Sequence, residues 1–415
     1  MNLSRQIEEY LPRPLLELVN GISRHAGALG QNVYLVGGVV RDLLLGYPNF
    51  DLDLVVEGDA VKLAQHVTEI GQARLLAHKR FGTAKLRYDD FTLDLATARR
   101  ETYAKPGALP AVTPGTLTDD LIRRDFSINA MAISLAADSY GELVDPYQGR
   151  IDLEHCLIRI LHSGSFTDDA TRILRGVRYE QRFGFEFEAQ TADLLERDIP
   201  MIDTISGDRI RHELELILKE ERPELAIKRL VELGVLARLS PSLKGDGWIA
   251  EKFDRARRLK KPAQLPSLYF CLLIYSLDET DIEQFLVRLN MPAKLSRTMR
   301  DTLHLKTRLP LLNAPGLKPS QIYYLLTDYE SLAIQANVIA TESSTVRRSL
   351  QLFLTKLRYV RTALDGEELR KLGISPGPEM GQVLRMLQKA KLDGEVRTKA
   401  DEKKLALSSS RNLER

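Results

Sequence analysis

Two acidic residues separated by one apolar residue, Asp51 and Asp53 in Asn49-Phe-Asp-Leu-Asp-Leu-Val-Val56, have the type and spacing that point most directly to chemistry. Alternate side chains of a strand share a face, so these carboxylates would stand on Cα atoms roughly 6.6 Å apart. Charges that close repel unless a cation joins them. Hard oxygen ligands in this number suit Mg2+, which takes one or two carboxylates and completes its shell with waters and the oxygens of a bound phosphate. Just upstream, Tyr34-Leu-Val-Gly-Gly-Val-Val-Arg-Asp-Leu-Leu-Leu-Gly46 runs from an apolar strand through Gly37-Gly38 into a helical pattern. Free N–H groups at a helix start attract anions, and glycine lets backbone approach a phosphate closely. Alone, an Asp-x-Asp pair is more often a solvated turn; its place 13 residues after Gly38 makes it a candidate metal site.

Two more stretches carry charge where a nucleotide could use it. In Leu121-Ile-Arg-Arg-Asp-Phe-Ser-Ile-Asn-Ala-Met-Ala-Ile133, two cations and an acid precede an apolar segment, a set able to hold phosphate and ribose hydroxyls. As isolated residues they would more often be a surface ion pair. In Phe166-Thr-Asp-Asp-Ala-Thr-Arg-Ile-Leu-Arg-Gly-Val-Arg-Tyr179, Thr167 or Asp168 could cap a helix on which Asp169, Arg172, Arg175 and Arg178 recur every three residues. Each step falls back about 60° around the axis. Asp169 and Arg172 could therefore read one base edge, while Arg175 and Arg178 turn toward phosphates or brace their neighbours. A carboxylate accepts from an exocyclic amine and a guanidinium donates to the adjacent ring acceptor, an edge offered by cytosine and adenine. Guanine and uracil present the reverse order and would meet mismatched charge. The bland alternative is a solvated helix carrying i,i+3 ion pairs.

Together, L-V-G-G-x-V-R-D-x-L-L-G, the following D-x-D, and R-R-D-F-S-I-N-A resemble the class II tRNA nucleotidyltransferase and poly(A) polymerase family, within the DNA polymerase β superfamily fold. The resemblance implies metal-holding, catalytic Asp51 and Asp53. It also implies a nucleotide site containing Gly38, Arg41, Arg124, Asp125, Asn129, Asp169, Arg172, Arg175 and Arg178. Gly38, Arg41 and Arg124 would position triphosphate and sugar. The family's E-D-x-x-R reads Asp168-Asp169-Ala-Thr-Arg172 here, and Ser127 replaces the usual Thr. Ser206-Gly-Asp-Arg-Ile-Arg-His-Glu213 matches S-x-x-R-I-x-x-E and would brace the reader helix. Asp145-Pro-Tyr-Gln-Gly149 matches a turn expected to join sheet and helices, with Asp145 bracing it. The implied reaction transfers CMP and AMP from CTP and ATP to the 3′-hydroxyl of tRNA, releasing pyrophosphate and using Mg2+. An enzyme adding only A or only CC would keep these motifs. A poly(A) polymerase is disfavoured by His78-Lys-Arg-Phe-Gly-Thr-Ala84, which departs from that branch's pattern. A non-catalytic RNA-binding protein would not need the carboxylates, and the absence of any His-Asp dipeptide argues against an appended metal phosphohydrolase.

The elements that must position these residues are readable in outline. Residues 3–29 pattern as a helix, strands are expected at 33–36 and 52–56, a helix at 60–70, and a hairpin at 84–88 and 91–96 around Asp89-Asp90. Asp94 would join the metal face in one register and leave it in the other. Residues 97–120 are rich in Pro and Gly without sustained periodicity and read as a long functional loop, which in the family is flexible and helps switch the site between nucleotides. From about 160 onward the chain reads as helix, with breaks near Pro241, Lys260-Lys-Pro262 and residues 310–319. The fold class is α+β: a polymerase β-like nucleotidyltransferase head (1–155) with a small mixed sheet, then an all-α neck (156–250), body (251–345) and basic, tRNA-binding tail (346–415).

At 415 residues, with 44% hydrophobic and 28% charged, the chain reads as soluble and multidomain. Cys156 and Cys271 lack metal or redox spacing, the first ten residues lack a signal core, and the longest apolar run, 268–275, is far short of a membrane span. A cytoplasmic protein without membrane contact, monomer or weak dimer, is expected. Residues 341–415 hold 16 Lys+Arg against 10 Asp+Glu, so this C-terminal stretch is +6 and the rest −4. That excess fits a polyanion such as RNA, or a solvated surface. The N-terminus of the helix following Pro376-Gly-Pro378 could hold a backbone phosphate, and the last ten residues read as disordered.

Overall fold

Apolar alternation and glycine punctuation divide the first half of the chain into short strands and helices. In the computed structural model, which describes residues 1–70, 74–78, 82–88, 90–259 and 264–413, the chain forms two compact units, Met1–Arg238 and Leu239–Arg415.

The first unit begins with α1 (Ser4–Tyr10) and α2 (Arg13–Ala28), split by Pro12 rather than continuous as the periodicity suggests. It continues through β1 (Asn32–Val36), α3 (Gly38–Leu45), β2 (Leu52–Glu57), α4 (Ala60–Ile70), β3 (Arg74–His78), β4 (Thr83–Tyr88) and β5 (Phe91–Thr97). Next come β6 (Arg99–Thr102), β7 (Ala111–Pro114), α5 (Leu117–Ile122), β8 (Ala132–Ser134), β9 (Leu143–Val144), α6 (Gly149–Glu154) and β10 (Leu157–Ile158). Helices α7 (Ser165–Asp168) and α8 (Thr171–Phe183), β11 (Glu186–Phe187), α9 (Ala189–Asp198), α10 (Gly207–Ile217) and α11 (Pro223–Glu232) complete it.

Seven strands form one mixed sheet in the order β3-β4-β5-β2-β1-β8-β9. Among the described residues of this sheet only β2 and β5 pair in parallel, and α4, β3 and β4 intervene between them. Helix α4 packs on the sheet and against α2, whose Leu15, Val19, Ile22 and Ala26 are buried. In β2, Leu52, Leu54 and Val56 are buried on one face, while on the other Asp53 is exposed and Val55 is buried, so the open edge of that face is confined to the start of the strand. Asp145 accepts from the backbone N–H groups of Gly149 (2.7 Å) and Arg150 (2.9 Å), fastening the turn into α6. Part of the 78–84 stretch, the Asp89 turn and the break at 260–262 lie outside the described residues.

Two further sequence expectations are corrected. Residues 97–120 are not a structureless loop: β6 and β7 form an antiparallel hairpin, followed by α5 with a Thr116–Asp119 capping box. Residues 399–413 form a helix instead of ending disordered.

The second unit is helical: α12 (Gly247–Arg257), α13 (Leu265–Leu273), α14 (Glu279–Arg288), α15 (Ala293–Arg308), α16 (Pro319–Leu326), α17 (Ser331–Ala340) and α18 (Ser344–Thr355), then α19 (Gly366–Lys371), α20 (Pro378–Leu392) and α21 (Lys399–Leu413). One core joins Leu305, Leu326, Ile334 and Leu350, and another joins Leu364, Leu369, Val383, Leu387 and Ala406. Helix α21 is fastened by the fully buried Glu402, which accepts from the N–H groups of Ala363 and Leu364 and from Lys391 Nζ at 2.6–2.9 Å.

Candidate active site

Register places the acidic residues. Asp53 and Asp94 are partners across the parallel β2–β5 pair, so both face the same side. Asp94 is engaged by Lys85 Nζ at 3.0 Å, its neighbour on β4. Asp51 lies just ahead of β2 and is exposed. Although Asp53 is open at its tip, enclosure by surrounding protein pushes its carboxyl up to about 6; Arg124 opposes this, and Asp51 and Asp94 add to it. A cation here would offset that repulsion. Among the described residues no group of three or more His, Cys, Asp or Glu is arranged to hold a metal; with Asp94 engaged by Lys85, the carboxylates left are Asp51 and Asp53, a donor set that fits Mg2+ completing its shell with phosphate oxygens and water.

The glycine turn supplies room for that phosphate. Gly37 has φ +77°, and a Cβ there would lie 2.8 Å from Arg124 Nη1 and 3.9 Å from Asp53 Oδ2. Arg124 and α3's first turn thus approach across a space only glycine leaves open. The two arginines of the Arg-Arg-Asp motif share a fully buried anchor, Asp120. Arg123 Nη2 is 2.6 Å from its Oδ1 and Arg124 Nη2 is 2.8 Å from its Oδ2. Burial alone would raise the Asp120 carboxyl, but Arg124 and Arg123 outweigh it and hold it below the usual range. Nε of Arg124 is buried without a partner.

Arg41 is nearly buried. Its Nε donates to Asp42 Oδ1 (2.8 Å) and its Nη1 to Asn129 Oδ1 (2.6 Å), while its guanidinium lies over the Tyr179 and Phe183 rings at 5.2 and 4.8 Å. Asn129 Nδ2 in turn donates to Asp125 Oδ1 at 2.9 Å. This is a different engagement from one directed only at a triphosphate.

At the start of α8, Asp169 Oδ1 accepts from the backbone N–H (3.0 Å) and hydroxyl (2.6 Å) of Thr171, so Asp169, rather than Thr167 or Asp168, tethers this helix start. The same oxygen meets Arg209 Nη2 at 2.6 Å. Arg172 donates to the carbonyls of Arg123 (2.6 Å) and Ser165 (3.3 Å). Arg175 Nε pairs with Glu213 at 2.7 Å and its Nη1 lies 3.8 Å from Asp125. Arg178 pairs with Glu220 at 3.3 Å. From α10, Arg209 therefore reaches Asp169 just ahead of α8 and Glu213 reaches Arg175 within it, an arrangement in line with a bracing role.

One cavity of about 480 Å3 is lined by Gly38, Arg41, Asp53, Arg124, Asp125, Asn129, Asp169, Arg172, Arg175 and Arg178, leaving Asp51 alone among the expected site residues outside its lining. Tyr103, Tyr179 and Arg182 line it too and were not anticipated. Glu101 organises the hairpin side, accepting from Arg99 (2.9 Å), Arg123 (3.1 Å) and the Tyr103 hydroxyl (2.9 Å). Asp120 was also missed, though its spacing three and four residues before the arginines is a readable signal.

Comparison with known proteins bears on what such a cavity serves. Residues 33–159 match the Poly A polymerase head domain, and residues 184–246 match a domain described as the probable RNA and SrmB-binding site of polymerase A. An A-adding tRNA nucleotidyltransferase of Halalkalibacterium halodurans is 35% identical over 96% of this chain and 94% of its own length. One of Geobacter sulfurreducens is 34% identical over 97% of this chain, which spans 48% of that longer protein. A solved CCA-adding enzyme, in an apo form, superposes with a TM-score of 0.83 at 31% identity, covering 99% of both chains. With a third of its residues shared along nearly the whole of both chains, this protein belongs to the tRNA nucleotidyltransferase and poly(A) polymerase family.

Proposed function

We propose that the protein extends the 3′ end of tRNA, adding C and A from CTP and ATP with release of pyrophosphate. The observation that carries this reading is the single cavity in which Asp53 faces the glycine turn, the arginines of residues 124, 172 and 175, and Asp169. Gly37, Gly38 and Arg124 hold the triphosphate, and Asp125, oriented by Asn129, holds the sugar. Asp169 and Arg172 select the base, with Arg175 and Arg178 supporting them. Asp51 and Asp53 hold Mg2+, which when bound lowers the pKa of the attacking 3′-hydroxyl and offsets charge on the α-phosphate and leaving group. The basic last quarter of the chain supplies sequence-independent affinity for the tRNA backbone. A cytoplasmic location follows from a tRNA substrate.

A second reading, addition of the terminal A alone, is favoured by one observation: the relatives matched at 34–35% identity are A-adding enzymes. Purified protein offered tRNA lacking its last three, two or one nucleotides, with CTP and ATP supplied singly and together, separates the two. CCA addition predicts full-length product from every substrate. Product only from tRNA lacking one nucleotide, with ATP, establishes the second reading. No extension of any substrate overturns both.

A further inference from the structure

The sheet holds only one of the two candidate metal carboxylates. Asp53 sits within β2 beside Asp94 of β5, whereas Asp51 precedes the strand and follows residues 47–50, which have no regular structure. What restrains Asp51 is a line of side chains. Its backbone N–H donates to Asn49 Oδ1 at 3.0 Å, and Asn49 Nδ2 donates to Asp42 Oδ2 at 2.7 Å. The other oxygen of Asp42 accepts from Arg41 Nε at 2.8 Å, and Arg41 passes the connection to Asn129 at 2.6 Å and so to Asp125 at 2.9 Å. The Asn49 amide has one workable orientation, because turned over it would set N–H against N–H and oxygen against carboxylate. Asp42 is buried, so an unpaired oxygen there would be costly.

We infer that Asn49 and Asp42 are positioning residues for Asp51, tying it to the segment that carries Asp125 and Asn129; this rests on the reading of Asp51 and Asp53 as the metal-holding pair. A metal with near-octahedral demands tolerates little drift in either ligand, and misplacement by about 1 Å can cost on the order of 100-fold in rate. The connection runs beneath α8, where Arg41 is stacked by Tyr179 and Phe183. Asp51 is thereby set relative to the nucleotide site and not merely to the sheet.

The test uses the full chain with Asn49→Ala, Asn49→Asp, the exchanged pair Asn49→Asp/Asp42→Asn, and Asp53→Asn as reference. Amide exchange of the peptide spanning 49–53, Mn2+ binding followed by electron paramagnetic resonance, and kcat with nucleotide KM are measured for each. Asn49→Ala is expected to speed exchange and weaken Mn2+ binding by about tenfold, the scale of one lost hydrogen bond, and to lower kcat while nucleotide KM stays within about twofold. Asn49→Asp sets two carboxylates against each other and is expected to be impaired likewise. The exchanged pair again opposes one donor to one acceptor and should recover most of both readouts. Wild-type exchange and Mn2+ binding in Asn49→Ala, or an exchanged pair no better than Asn49→Asp, overturns the inference. If Asp53→Asn is inert while Asn49→Ala behaves as wild type, only the positioning role falls; if Asp53→Asn binds Mn2+ and turns over normally, the metal reading falls with it.

Discussion

Asp169 Oδ1 lies 2.6 Å from Arg209 Nη2, so a carboxylate expected to read a base is held by an arginine of another helix, α10. The Thr171 N–H and hydroxyl meet the same oxygen, so Oδ2 is the oxygen that the proposed base-reading role would use. In that proposed role, selection would depend on how firmly Oδ1 is tied down.

Arg209→Ala should therefore loosen the choice of nucleotide more than the rate with the accepted ones. A charge-assisted bond of this kind corresponds to roughly tenfold in discrimination. Single-turnover incorporation of each of the four nucleotides measures it, and unchanged ratios would remove Asp169 from the reading role.

Asp53→Asn keeps size and hydrogen-bonding capacity but removes the charge. Nucleotide addition should fall by at least about 100-fold, the scale on which one electrostatic contact to a transition state acts. Affinity for tRNA, measured by filter binding, should stay within about twofold because the basic residues proposed to supply it are elsewhere in the chain. Substantial turnover in this variant would refute the metal assignment.

Asp120→Asn should destabilise the first unit by about 3 kcal/mol at neutral pH, since it removes the buried counter-charge that Arg123 and Arg124 share and leaves Glu101 to Arg123 alone. The acid dependence has a definite sign. Asp120 is held below the ordinary carboxylate range in the folded chain, so its contribution is complete above the unfolded value near ~3.9 and is lost as pH falls through the lower folded value. Thermal unfolding of wild type and variant should therefore converge as pH drops below about 4. A gap that stays constant to pH 3 would contradict the pairing.

Gly107→Ala tests the hairpin. Gly107 has φ +69°, and a Cβ there would come within 2.5 Å of Thr204 Oγ1 and 2.6 Å of its carbonyl oxygen. Strain of about 1–2 kcal/mol plus that collision should detach the tip. Faster proteolysis between residues 103 and 110, with reduced nucleotide discrimination, is the expected result, and unaltered cleavage would show that the contact does not hold the hairpin.

Chemistry carried by contiguous residues was the legible part of this chain. Asp53, Gly38, Arg124 and Asp169, which the structure brings to one cavity, each sit in short stretches whose spacing limits what they can face, and strand alternation around Leu52 and Leu54 located the sheet. The hairpin was invisible for a physical reason: Arg99 and Glu101 turn toward a polar cavity, so β6 lacks the apolar alternation that marks a strand. The Arg209–Asp169 bond joins residues forty positions apart, a distance no periodicity spans. The last ten residues read as disordered from their Ser and Arg content, whereas α21 runs to Leu413 because Glu402 and Ala406 anchor it against the preceding helices.

Arg41 belongs by sequence to the sheet-bearing half of the first unit, yet its cover consists of Tyr179 and Phe183 from a helix more than a hundred residues downstream. A fragment severed after residue 159 would unroof that guanidinium and strand the amide and carboxylate chain that depends on it. Chimeras between relatives should consequently be joined beyond α11, near residue 238, because a splice at the sheet's edge would pair one parent's cation with the other parent's rings.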